Sequence, residues 1–339
     1  MDIQTAFENF LDKVVNLNKD RVNRIESAQD VLSKFIQNHD DFKNLYIDTI
    51  PQGSYRQKTI IKPVGDDGSF DVDLLVKLKE NPDWSPADYH AKLAKAFKDS
   101  GRYEDLTDTK GKTRCVTIDY EGDFHVDLVP AVERNGKYYV CKKTTDEFEE
   151  TDGDGYAQWF EQQDANAGGH LVPSVRLLKY LRDSKEDFAT KSIILTTIAG
   201  IQVESGDSFV STPEALSAIL NKMNDHLSQF EAAPSILNPA MPGEDFDRHW
   251  KNDGKGFNDL KAAIGAYADI ASNAVSTSDT DEAIERWQEL FSDKFTASKS
   301  LTASTAVSTV APTIISNPAK PWASHEELPC HHTDLPKKN

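Results

Sequence analysis

Between residues 20 and 37 the apolar side chains Val22, Ile25, Ala28, Val31, Leu32, Phe35 and Ile36 recur at intervals of three and four. That spacing predicts an amphipathic helix whose stripe packs on a sheet. A short alternating stretch around Leu45 and Ile47 then runs into Pro51-Gln52-Gly53-Ser54, which reads as a strand ending in a turn that opens a helix. From 71 to 78 the period is two, with Val72, Leu74 and Val76 on one face and Asp71, Asp73 and Leu75 on the other. Ser85-Pro86-Ala87-Asp88 supplies an N-cap and a proline at the first helical position for a helix through Ala91, Leu93, Ala94 and Phe97. Strand patterns return at 114–120, 124–132 and 137–141, and the Glu121-Gly122-Asp123 break suggests a hairpin between the first two.

Beyond about residue 152 the pattern turns helical, near 172–183, 192–203, 213–230, 257–271 and 280–291. From 298 onward Ser, Thr, Ala and Pro dominate with little periodicity, which reads as a flexible tail or linker. No internal repeat is visible. The expected organisation is a strand-rich lobe with N-terminal helices (1–150), a helical lobe (151–297) and the tail (298–339).

Composition narrows the function more than the fold. A chain of 339 residues with 38% hydrophobic and 28% charged positions has room for a sizeable buried core, and no apolar run is long enough to cross a bilayer. Its first thirteen residues lack a basic start and a greasy stretch, so the expected location is the cytoplasm. Cys115, Cys141 and Cys330 are far apart and form no paired motif. A formal charge of −18 argues against a long nucleic-acid strand as substrate, since strand binders present a broad basic field. Small triphosphates need only a local cluster of cations.

Candidate chemistry lies in three features that follow one another: Gly53-Ser54 at a strand-to-helix turn, Asp71-x-Asp73 on the next strand, and Asp127 within His125-Val126-Asp127-Leu128-Val129-Pro130. Phosphoryl transfer asks a protein for positioning and charge neutralisation, and hard carboxylate oxygens suit a pair of magnesium ions, with manganese as the alternative. Asp71 and Asp73 lean over one face and can bridge the ions. Asp127 can reach the ion that activates an attacking hydroxyl and can also take its proton. The Gly53-Ser54 turn can offer backbone amides and a hydroxyl to a triphosphate at a helix N-terminus. An Asp-x-Asp by itself is common on a solvated sheet face. Asp127 shifts the balance, because the run around it is otherwise apolar apart from His125 and an embedded carboxylate there is costly unless paired or bound to metal.

The strings Gln52-Gly53-Ser54-Tyr55-Arg56-Gln57-Lys58-Thr59, Phe70-Asp71-Val72-Asp73-Leu74 and Val126-Asp127-Leu128-Val129-Pro130 together resemble the polymerase-beta-type nucleotidyltransferases. Among these the chain is most similar to the bacterial cyclic-oligonucleotide synthases, the CD-NTases with a SMODS nucleotidyltransferase domain, relatives of cyclic GMP-AMP synthase and oligoadenylate synthase. The resemblance spans about residues 1 to 295, more specifically in the first half than in the helical half. It implies an α+β fold, with a nucleotidyltransferase sheet lobe packed against a helical lobe and the active site in the cleft between them. It further implies that Lys179, within Val175-Arg176-Leu177-Leu178-Lys179-Tyr180, and Ser192, at the start of the next helix, contact the donor triphosphate. Arg176, Lys179 and Arg182 recur at intervals of three and could form one cationic stripe, although Arg182 reads better as an ordinary solvated residue.

The implied activity is a cyclic di- or trinucleotide synthase that joins nucleoside triphosphates, ATP or GTP first among them, and releases pyrophosphate. The resemblance places this in antiphage (CBASS) signalling, with a separate effector bound by the product and neighbouring proteins as regulators. Rival readings are a nucleotidyltransferase making linear oligoadenylate or modifying another acceptor, and a silent nucleotide-binding regulator. His125 reads as structural rather than as a ligand. The tail group Cys330-His331-His332, with His325, lacks standard zinc spacing. Trp250, Trp287 and Trp322 could stack on bases, but Trp287, in a helical run, reads as core.

Overall fold

In a computed structural model, which describes residues 2–65, 68–110, 112–120, 123–246, 250 and 255–296, the alternating segments form one mixed sheet. Its strands are β1 (Tyr46–Pro51), β2 (Phe70–Lys79), β3 (Thr107–Asp108), β4 (Val116–Tyr120), β5 (Phe124–Arg134), β6 (Lys137–Lys142) and β7 (Glu147–Thr151). They pair in the order β1-β2-β5-β4-β3, and β6 continues from the far half of β5 to β7. β5 is long enough to serve two neighbours, since residues 124–128 pair with β4 and residues 131–134 with β6. β2 and β5 are parallel in a register that sets Asp71 beside His125 and Asp73 beside Asp127.

Two helices cover this sheet. One is α2 (Lys19–Asn38), which buries Ile25, Ala28, Leu32 and Ile36 from the stripe read in the sequence. The other is α4 (Pro86–Lys98), started by the reciprocal Ser85–Asp88 capping box. They meet at Phe35 and Phe97, whose ring centroids lie 4.6 Å apart. On the face that bears Asp73, Leu75 packs instead with Ile50, Val129, Ala131 and Val140.

The remaining helices are α5 (Gly153–Asn166), α6 (Leu171–Lys185), α7 (Ser192–Ile201), α8 (Thr212–Ser228), α9 (Lys255–Ser276) and α10 (Thr280–Phe291). They share one large apolar cluster. The N-terminal helix α1 (Ile3–Phe10) and the π-helical turn Leu11–Val15 that follows it belong to that same cluster. The sequence reading grouped the N-terminal helices with the sheet lobe, and for α1 the structure differs: Phe7 and Phe10 insert among Trp287, Phe291 and Phe295. Trp287 is 0% exposed and meets the Phe7 ring edge-on at 4.8 Å, as a core role requires. Trp287→Ala should therefore lower unfolding stability by about 3–5 kcal/mol, read as a shift of the urea midpoint.

α5, β7 and the small hairpin of β8 (Leu237–Asn238) and β9 (Met241–Asp245) carry little periodicity and are not evident from the sequence pattern. β7 is an acidic edge strand, Glu-Phe-Glu-Glu-Thr, and α5 opens on Gly-Asp-Gly. α3 (Gly53–Arg56) is a single turn, shorter than the helix expected there. Among the described residues no helix is long and apolar enough to cross a membrane. Cys115 and Cys141 are buried free thiols. Trp322, the Cys330-His331-His332 group with His325, and the segment read as a tail from 298 all lie outside the described residues.

Candidate active site

β1 leads directly into the site. The Gln52 amide donates to the Asp73 carbonyl at 2.8 Å, and Gly53 then turns the chain at φ +57°. A Cβ at Gly53 would lie 2.6 Å from Asp73 Oδ2, so both the backbone conformation and the close approach demand glycine. Because α3 spans only four residues, the turn offers the amides and hydroxyl of Gly53-Ser54 without the macrodipole of a long helix.

The parallel register of β2 and β5 brings Asp71, Asp73 and Asp127 out on one side of the sheet, where Asp71 is exposed, Asp73 half-buried and Asp127 only 9% exposed. Burial, and then the negative charges of Asp127 and Asp71, push the Asp73 carboxyl up to about 6. Asp127 is already engaged. Thr117, beside it on β4, donates its hydroxyl to Oδ1, and Lys112 Nζ lies 3.2 Å from Oδ2 and 3.4 Å from Oδ1. Sequence reasoning missed both partners, since neither belongs to a motif.

From the helical side, Lys179 on α6 is 3% exposed and donates to the carbonyl and the hydroxyl of Thr59, each at 3.0 Å. Burial first, and then the nearby positive charges of Arg182 and Arg176, push its ammonium down to about 7. Ser192 opens α7 and accepts from Arg182 at 2.9 Å. Arg182 also donates to the Thr190 carbonyl at 3.2 Å and pairs with Asp183 at 2.6 Å. The solvated reading of Arg182 is thus overturned: it lines the same cavity as Lys179. Arg176 turns elsewhere, to the Lys58 carbonyl at 2.6 Å and Asn16 Oδ1 at 2.9 Å. The three cations do not form one stripe, because six residues along a helix end about 120° away from their starting direction.

Gly53, Ser54, Asp71, Asp73, Lys179 and Ser192 all line one cavity of about 530 Å³, although they come from separate stretches of sequence. Asp127, beside Asp73 in the register, is not part of this lining. His125 Nε2 hydrogen-bonds Ser69 Oγ at 3.0 Å, and its Nδ1 lies 3.2 Å from Asp119 Oδ1. Trp250 is buried and donates to the Pro234 carbonyl at 2.9 Å. Among the described residues no three Asp, Glu, His or Cys side chains converge on a single metal-sized point. The donor set nevertheless fits divalent cations in kind: hard oxygens, crowded and partly desolvated, whose mutual repulsion a cation relieves.

Comparison with known proteins agrees with this architecture. Residues 1–164 match the Second Messenger Oligonucleotide or Dinucleotide Synthetase (SMODS) domain. The chain is 27% identical over 283 residues to a c-di-GMP synthase of Roseivirga ehrenbergii, covering 73% of this chain and 74% of that protein. It is 24% identical over 310 residues to a cyclic AMP-AMP-AMP synthase of Acinetobacter sp., covering 88% of each. In fold it is similar to E. coli MS115-1 CdnC with ATP, at a TM-score of 0.67 and 20% identity over 88% of this chain and 99% of that one. The match to the SMODS domain thus spans just under half of the chain, the part that carries the mixed sheet, and over its whole length the chain is similar in fold to the bacterial CD-NTase CdnC.

Proposed function

We propose that the protein joins nucleoside triphosphates into a cyclic oligonucleotide signal with release of pyrophosphate. One observation supports this reading above the others: a single cavity gathers a glycine-serine turn, two strand carboxylates, a buried lysine and a helix-opening serine. In this reading Ser54 and Ser192 offer hydroxyls to the donor triphosphate, and Lys179 neutralises its charge. Closure of sheet-bearing and helical lobes on the nucleotide excludes water and aligns the acceptor hydroxyl with the α-phosphate. Asp127, beside Asp73 in the strand register, would take the proton of that hydroxyl. Two magnesium ions, or manganese, held by Asp71, Asp73 and Asp127 would supply charge neutralisation at the transferred phosphate. A second transfer then closes the ring.

The same reading places the enzyme in the cytoplasm, in antiphage signalling, with ATP or GTP as substrate and an effector that binds the product. A regulatory protein partner is in keeping with the fold's likeness to CdnC, which has been seen in complex with HORMA-deltaN.

Incubation with the four nucleoside triphosphates and magnesium tests the proposal. A phosphatase-resistant product identified by mass spectrometry is expected, together with stoichiometric pyrophosphate. Phosphatase-sensitive products would instead indicate linear oligomers, and no pyrophosphate under any metal or nucleotide condition would overturn the enzymatic reading.

A further inference from the structure

The three carboxylates are unequal in one respect. Among the described residues Lys112 is the basic side chain that forms an ion pair with any of them, and it pairs with Asp127. Its ammonium reaches both carboxylate oxygens, at 3.2 and 3.4 Å, while the Thr117 hydroxyl engages Oδ1 from the neighbouring strand. Asp127 itself is buried. The lysine rides on the segment between β3 and β4 and is one-third exposed, so its stem is free to swing outward. An ammonium bonded to both oxygens and a divalent ion bound to the same oxygens exclude one another, because their centres would sit within a few ångströms with like charge.

We propose that Lys112 is a built-in counter-ion: it holds Asp127 in place while the site lacks metal, and a divalent cation must displace it to bind. Lys112 is therefore a positioning residue that sets the metal concentration at which the site fills. Displacement costs the Lys112–Asp127 pair, so metal affinity is lower than the carboxylates alone would give. The proposal rests on the reading of Asp71, Asp73 and Asp127 as the metal-holding groups.

The test uses the full chain with Mn²⁺ alone, no nucleotide, and free Mn²⁺ measured by electron paramagnetic resonance. Lys112→Met should bind Mn²⁺ roughly tenfold more tightly than the parent, whereas Lys112→Arg, which keeps the charge, should stay near the parent. Without metal, Lys112→Met should melt below the parent, and it should gain more from added Mn²⁺. Lys112→Gln serves as a second neutral variant and should follow Lys112→Met. If both neutral variants bind Mn²⁺ no better than the parent, while Asp71→Asn/Asp73→Asn abolishes binding, the counter-ion role is overturned and the metal-site reading stands. If Asp71→Asn/Asp73→Asn leaves Mn²⁺ binding unchanged, both are overturned.

Discussion

Asp73→Asn should inactivate the protein and make it more stable, and the two effects should share one cause. Asp73 is partly buried beside two other carboxylates, and its carboxyl is held at about 6 rather than at its ordinary 3.8. Between those values the folded chain holds a proton that the unfolded chain has released, so stability falls as pH rises through the interval and the whole penalty stands above pH 6. A shift of that size corresponds to about 2–3 kcal/mol. The asparagine variant should therefore melt higher than the parent at pH 7–8, with the advantage vanishing below about pH 4. Pyrophosphate release should fall by roughly a thousandfold. Added magnesium should raise the parent's melting temperature, because it offsets the same repulsion, and should raise the variant's much less. Equal melting curves for the two proteins at pH 8 would remove the electrostatic account of this site.

Lys179→Met should show the same opposition from the cationic side. The Lys179 ammonium is held at about 7 against an ordinary 10.5, chiefly by burial. Between pH 7 and 10.5 the unfolded chain carries a proton there that the folded chain has lost, so this group's contribution to stability improves as pH rises. The penalty for burying the charge is complete below pH 7. Methionine removes it, at the cost of the two hydrogen bonds to Thr59. The net gain should be about 2 kcal/mol at pH 6, shrinking toward zero and then reversing by pH 10. Triphosphate affinity, measured by calorimetry with a non-hydrolysable analogue, should drop by roughly a hundredfold, since a desolvated charge pair is lost. A variant that binds the analogue as well as the parent would take Lys179 out of the nucleotide site.

Much of this was legible along the chain. The two-residue period from 71 to 78 placed Asp71 and Asp73 on one face, and the apolar run around Asp127 marked a carboxylate that needed a partner. The helical half was visible as well, because α8 and α10 each bury residues at helical spacing. Less was visible where periodicity is weak, as in α5 and the acidic edge strand β7, or where apolar residues pack far from their neighbours in sequence, as α1 does against α10.

Local sequence therefore determined which residues are candidates for the chemistry and which face each presents, since alternation along a strand and recurrence along a helix are short-range properties of the backbone. Only the tertiary structure decided their partners. The β2–β5 register set Asp73 beside Asp127, and the chain from β3 to β4 brought Lys112 onto Asp127. The packing of α6 sent Arg182 into the cavity with Lys179 and turned Arg176 away. Such pairings depend on where separate elements come to rest, and that is fixed by burial of apolar surface over the whole molecule rather than by any one segment.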